Sequence, residues 1–181
     1  MNKKMLREKY KSIRDLMPEY IRKEKSGKIA EILLSCREYI SGGNIMSFAS
    51  FGSEPDTYVV NERVLADGKS LYLPVTDLKN KEMTVSRLGS LSELSKSSCG
   101  IYEPSDQTPA NPDVLDLIIV PAVSFDRFGF RIGYGGGYYD KFFSKYRLRC
   151  PKIGIAFSET FSIAPFPKEP HDIPVDRVIY V

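Results

Sequence analysis

The 181-residue sequence has one histidine, His171, and no tryptophan. A lone histidine excludes a multi-histidine metal centre. It also makes any Ser-His or Cys-His nucleophile system depend on one residue near the C-terminus. Cysteine is scarce too. Cys36, Cys99 and Cys150 are odd in number, far apart and out of metal-ligand spacing, so they read as reduced and structural. No apolar run reaches the roughly 18 residues of a membrane-spanning helix. The charged N-terminus lacks the apolar centre of a signal peptide, so a cytoplasmic protein is expected. No internal repeat and no low-complexity tail interrupts the chain. One domain over residues 1–181 is expected, with a core large enough to need no covalent staple.

Excess charge is also nearly absent, but the net +3 conceals an asymmetry. Residues 1–28 hold ten Lys/Arg against four Asp/Glu, and the remainder is mildly acidic. A basic excess confined to one segment points to a local anionic partner and away from a nucleic-acid-coating surface. Aromatic interleaving of the RNA-binding kind is missing there. Neither a nucleic acid nor a membrane is expected as a partner.

The chain is organised around Arg131–Asp140, which reads Arg-Ile-Gly-Tyr-Gly-Gly-Gly-Tyr-Tyr-Asp. Four of the thirteen glycines, Gly133 and Gly135 to Gly137, fall within five positions. Glycine lets backbone approach a ligand closely, and successive amides before a helix form an anion nest. A flexible or tightly packed turn has the same glycines. Arg131, Tyr138 and Asp140 favour the anion site, because a merely flexible turn needs none of them. The turn fits neither standard phosphate motif. No Gly-x-x-x-x-Gly-Lys followed by Ser or Thr occurs, and the dinucleotide pattern lacks its last glycine and its adjoining strand. What remains is a cluster with its own chemistry. Arg131 can meet a phosphate in bidentate fashion, and Asp140 can hold Mg²⁺ together with phosphate oxygens.

Along the chain, Leu6, Tyr10, Ile13 and Met17 make an apolar stripe on a helix over 2–17. Lys3, Arg7, Lys11 and Arg14 make a second stripe, roughly 85° round the axis at about 100° per residue. The cations therefore border the packed face, either solvated or looking into a cleft. A second helix from Pro18 to about Ile40 buries Ile29, Ile32, Leu33 and Cys36, and Gly42-Gly43 ends it. Strands are expected at Asn44–Ala49, Ser70–Val75, Glu82–Leu88, Asp116–Val123, Lys152–Phe157 and Asp176–Val181. Asp56 caps a helix from Thr57 to Ala66, and Tyr138–Tyr146 is helical. Residues 89–113 read as surface loop with one short helix at 90–96. Ser124–Ile132 reads as a loop, and the proline-rich 158–176 as irregular. Glu54 lies in the loop after the first strand, where open α/β sheets bind ligands, though a solvated loop acid reads the same way. Alternating helices and strands imply an α/β sandwich around a largely parallel sheet.

Several segments together resemble the 5-formyltetrahydrofolate cyclo-ligase family, also called the methenyltetrahydrofolate synthetases. They are Asp116-Leu-Ile-Ile-Val-Pro121, Phe125-Asp126, Gly129 and Arg131-Ile-Gly-Tyr-Gly-Gly-Gly-Tyr-Tyr-Asp140. Lys3-x-x-Leu6-Arg7, Glu54-x-Asp56-Thr57, Gly68-Lys69 with Leu73-Pro74, Glu103-Pro104 and His171-Asp172 follow in the same order and spacing. Ser158-Glu159-Thr160 stands where the family usually shows a glutamine.

The resemblance implies a three-layer, Rossmann-like sandwich of the CoA-transferase-like class. It implies ATP- and Mg²⁺-dependent conversion of 5-formyltetrahydrofolate to 5,10-methenyltetrahydrofolate, with release of ADP and phosphate, by a monomer. Arg131, Tyr138 and Asp140 would be catalytic. ATP would meet Lys3, Lys4, Arg7 and the run Arg131, Ile132, Gly133, Tyr134, Gly135, Gly136, Gly137, Tyr138 and Tyr139. The folate would meet Arg7, Glu54, Tyr134, Gly135 to Gly137 and Tyr138, and Asp140 and Asp172 would hold Mg²⁺. Lys11 and Arg14 receive no role beyond solvation or the folate's glutamate tail. The alternative is a folate- or nucleotide-binding protein of the same fold without turnover.

Overall fold

A computed structural model describes residues 1–97 and 100–181; Cys99 lies outside the described residues. The helices and strands are α1 (Lys3–Leu16), α2 (Glu19–Ser35), α3 (Arg37–Ser41), β1 (Asn44–Met46), α4 (Tyr58–Ala66), β2 (Ser70–Asp77), β3 (Glu82–Leu88), β4 (Leu94–Lys96), β5 (Tyr102–Pro104), β6 (Leu117–Val120), β7 (Ser124–Asp126), β8 (Arg131–Ile132), α5 (Tyr138–Tyr146), β9 (Lys152–Ala156), β10 (Phe161–Ser162) and β11 (Arg177–Tyr180). Six strands form the main sheet in the order β11-β9-β6-β1-β2-β3, parallel throughout except for the β2–β3 hairpin.

Residue alternation along the strands builds two cores, one on each face of the sheet. Leu117 and Ile119 of β6 pack with Ile45, Ile153 and Ile155 against Ile29 and Leu33 of α2 and Val60 and Val64 of α4. Ile118 and Val120 pack the other way, with Met46 and Ala156, against Phe142 and Phe143 of α5. Helix, sheet and helix are the three layers of the expected Rossmann-like sandwich. A third cluster joins Leu6 and Tyr10 of α1 to Val123, Ile132 and Phe166, docking α1 beside β8.

The long second helix is corrected at two points. It breaks at Cys36, whose extended backbone (φ −75°, ψ 151°) separates α2 from α3, while the Ser35 hydroxyl donates to Ile32 O. Ile32 is exposed, because the buried stripe runs Ser26, Ile29, Ala30 and Leu33. The expected surface loops also contain strands. Residues 89–113 hold a one-turn 3₁₀ helix at Leu91–Glu93 and the β4–β5 hairpin. Ser124–Ile132 is the β7–β8 hairpin, and β10 of the proline-rich segment pairs with β7. Asp126, fully buried, accepts from the amides of Phe128, Phe130 and Phe166 and so ties that hairpin together. Cys36 and Cys150 are free thiols, and no helix among the described residues is long and apolar enough to cross a membrane.

Candidate active site

In the sheet order, β1 and β6 are neighbours from which the chain winds in opposite directions, β1 to β2 and β6 to β9. Strands that diverge this way leave a crevice at their carboxyl ends. There lies a cavity of about 560 Å³, with Phe48, Ala49 and Glu54 from beyond β1 and Pro121 from beyond β6. Lys3, Arg7, Arg131, the glycine turn, Tyr138, Tyr139, Asp140 and Asp172 also line it. Thus every residue proposed from the sequence borders one cavity, except Lys4, which is exposed outside it. Thr76, Met83, Ile101, Tyr102 and Glu103 form a further wall that sequence reasoning missed. The buried Glu103 holds that wall by accepting from Thr76 N at 3.0 Å.

The cations reach the cavity through long-range contacts. Arg7 Nε donates to Gly133 O at 2.6 Å, which lays its guanidinium against Gly135. Arg131 Nη1 donates to Ile173 O and Nη2 to Asp140 Oδ1, each at 2.7 Å. Burial lowers the Arg131 pKa and the neighbouring Asp140 opposes it. Asp140 Oδ1 also accepts from Ile173 N at 3.0 Å, leaving Oδ2 outside these bonds. Lys3 Nζ donates to both oxygens of Asp172, at 2.8 and 2.6 Å, and Glu169 N donates to Oδ2. Burial alone would raise the Asp172 pKa; the hydrogen bonds from Lys3 and Glu169 N overcome it and hold the carboxyl below its ordinary value.

The glycine turn leads into α5 with Gly137 as N-cap at φ +66°, a left-handed conformation that glycine adopts without strain. No side chain caps α5, so its first amides stay open toward the cavity. At the other end, Glu54 is buried. Its Oε1 accepts from the Tyr134 hydroxyl at 2.8 Å and its Oε2 from Phe51 N at 3.1 Å. Burial pushes the Glu54 pKa up, against Arg14, Tyr134 and the Phe51 amide. The Tyr139 hydroxyl is buried without a hydrogen-bond partner, and burial pushes its pKa up as well.

For a divalent cation, no three His, Cys, Asp or Glu groups converge among the described residues. The candidate donors are Asp140 and Asp172, two of the carboxylates that border the cavity, each beside a cation. That fits Mg²⁺ entering with a polyphosphate, since Mg²⁺ takes one or two carboxylates and fills its shell with phosphate oxygens and water.

The fold and cleft define a Rossmann-like α/β protein with its candidate site at the sheet's switch point. The model of the 5-formyltetrahydrofolate cyclo-ligase family matches residues 1–181. The mouse 5-formyltetrahydrofolate cyclo-ligase is 28% identical over 164 residues, spanning 84% of this chain and 80% of its own. The Escherichia coli K12 enzyme of that name is 29% identical over 172 residues, spanning 92% of each chain. The solution structure of Aquifex aeolicus 5,10-methenyltetrahydrofolate synthetase matches with a TM-score of 0.84 at 32% identity, over 99% of this chain and 90% of that one. A Mycoplasma pneumoniae synthetase, 20% identical with a TM-score of 0.80 over 99% and 98%, shares the fold. The chain belongs to the 5-formyltetrahydrofolate cyclo-ligase family and is an enzyme.

Proposed function

We propose that this enzyme converts 5-formyltetrahydrofolate to 5,10-methenyltetrahydrofolate at the expense of ATP, as a single domain. The observation that supports it best is the meeting of three distant segments at one cavity. Lys3 and Arg7 come from α1, Glu54 from beyond β1, and Arg131 to Asp140 from β8, the glycine turn and the start of α5. One end is rich in cations and open amides, as a polyphosphate needs. The other has a buried carboxylate bonded to Phe51 N and the Tyr134 hydroxyl, beside the rings of those two residues, whose centroids are 5.3 Å apart, as a flat heterocycle bearing N–H donors needs.

The chemistry follows from the substrate. A formamide oxygen is a poor leaving group. Attack by that oxygen on the γ-phosphorus forms an O–P bond, expels ADP and leaves an N5-iminium phosphate. N10 then attacks the iminium carbon, loses its proton, and phosphate departs with the formyl oxygen. Such a transfer needs alignment and charge neutralisation more than a protein nucleophile, which suits a cleft whose one histidine is exposed. Lys3, Arg7, Arg131 and the amides of the glycine turn orient the phosphates. Glu54 accepts from the pterin's N–H groups, and Tyr138 lies along the folate. Mg²⁺, held by Asp140 and Asp172, would neutralise phosphate charge. Incubation with 5-formyltetrahydrofolate, ATP and Mg²⁺ tests the reading: near-ultraviolet absorbance of the methenyl product should grow only with ATP present. Tight folate binding without ATP-dependent product would favour the binding-only alternative.

A further inference from the structure

Arg14 is the buried cation that the phosphate and folate contacts leave without a task. The residue is 2% exposed and sits in the last turn of α1. Nε donates to Ser53 Oγ at 3.0 Å, Nη1 to Ala122 O at 3.1 Å and Nη2 to the Tyr134 hydroxyl at 2.6 Å. One guanidinium thus fastens the loop after β1, the segment after β6 and the glycine turn, the three pieces that frame the site.

Stability alone is a poor reason for such a residue. A buried guanidinium loses its hydration, and a well-packed apolar side chain of similar size is often as stable or more so. What an apolar side chain cannot do is orient a hydroxyl. Because Tyr134 Oη accepts from Arg14, its own proton is directed to Glu54 Oε1, 2.8 Å away. Phe51 N holds the other Glu54 oxygen, so the carboxylate is fixed by two donors and, lining the cavity, keeps lone pairs that these bonds do not use. The groups facing Glu54 are Arg14 from α1, Tyr134 from the glycine turn and Tyr139 from α5. Arg14 is the one cation among them, and arginine stays charged at any working pH.

We propose that Arg14 is a positioning residue for the folate end of the cleft: it aims the Tyr134 hydroxyl at Glu54 and supplies the positive charge that Glu54 faces, so that Glu54 remains an acceptor for the substrate's N–H donors. The proposal rests on the reading of Glu54 as the pterin's partner. It gives α1 two jobs along one stripe, phosphate contact at Lys3 and Arg7 and substrate alignment one turn and more beyond.

Calorimetric titration of 5-formyltetrahydrofolate, and separately of a non-hydrolysable ATP analogue, between pH 5.5 and 9 tests it. In Arg14→Met the pH below which folate affinity falls should move upward by about 1–3 units, the usual effect of one neighbouring charge. Affinity at neutral pH should fall about tenfold or more, while the ATP analogue binds as before. Arg14→Lys should keep the wild-type pH profile, because the charge stays, but lose folate affinity with the guanidinium fork. Tyr134→Phe should weaken folate alone. In the Arg14→Met/Glu54→Gln double variant the pH dependence should vanish. Equal loss of folate and nucleotide with an unmoved pH profile in Arg14→Met and Arg14→Lys would overturn the proposal and leave a plain structural strut. Unaltered folate affinity in Glu54→Gln alone would instead overturn the pterin reading beneath it.

Discussion

Lys3 and Asp172, 169 positions apart, form a two-pronged ion pair across the cleft, with Nζ at 2.8 and 2.6 Å from the two carboxylate oxygens. Arg131 and Asp140 make a second ion pair, through the single contact of Nη2 with Oδ1 at 2.7 Å. In each pair a proposed phosphate cation covers a proposed metal carboxylate. On the proposed reading each cation would exchange its carboxylate for a phosphate oxygen as the metal–nucleotide complex enters, and the metal would have little to hold on its own. Lys3→Met should bind Mn²⁺ alone about tenfold more tightly, since Asp172 is released, and bind nucleotide more weakly by a similar factor. Electron paramagnetic resonance of free Mn²⁺ checks the first and nucleotide titration the second. Weaker Mn²⁺ binding in the variant would contradict the exchange.

Asp140→Asn keeps an oxygen to accept from Arg131 Nη2 and Ile173 N but loses the charge. Turnover should fall about 10²–10³-fold, the scale for removing one preorganised electrostatic group, with melting nearly unchanged. Near-normal kcat at low Mg²⁺ would show that Asp140 holds no metal.

Glu54 sets function against stability. Its pKa is raised, so the folded chain binds more protons than the unfolded one between the ordinary carboxyl value and the elevated one. Stability therefore falls as pH rises through that window, and the loss is complete above it. Glu54→Gln should flatten this slope and raise the melting temperature at neutral pH, by about 2–4 °C per kcal/mol recovered in a chain of this size. Folate affinity should fall at the same time. Thermal scans across pH read the first effect and calorimetry the second. A variant whose melting temperature changes between acid and neutral pH just as the wild type's does would contradict the assignment.

Gly136 has no room for a side chain. A Cβ there would sit 2.6 Å from Cδ2 of the Tyr138 ring. Gly136→Ala should push that ring from its rotamer at a cost of about 1 kcal/mol and weaken folate several-fold. Adding Tyr138→Ala to it should cost less than Tyr138→Ala costs alone, because the two changes share one target. Additive losses would mean that the turn acts without Tyr138.

What could be read in the sequence divides by length scale. The stripes on α1 repeat often enough for a period to appear, and the apolar runs at β6 and β9 are long enough to read as buried strands, so the layers and the parallel sheet were legible. Strands β4, β5, β7, β8 and β10 have two or three residues each, and no period can be read in so few. They formed the hairpins mistaken for loops. The glycine turn, Glu54 and Asp172 could be singled out because their types and order match a family pattern, and they border one cavity. The pairing of Lys3 with Asp172 and the burial of Arg14 were not legible. Both depend on which side of α1 meets the glycine turn, and only the packing of Leu6 and Tyr10 against Ile132 and Phe166 decides that.

The most direct test follows an atom. 5-Formyltetrahydrofolate labelled with ¹⁸O in the formyl group should, with ATP, Mg²⁺ and this protein, deliver its label to inorganic phosphate, one atom for each methenyl product formed. Unlabelled phosphate, with the ¹⁸O recovered in water, would show that the γ-phosphoryl group never reached the formyl oxygen in this cleft.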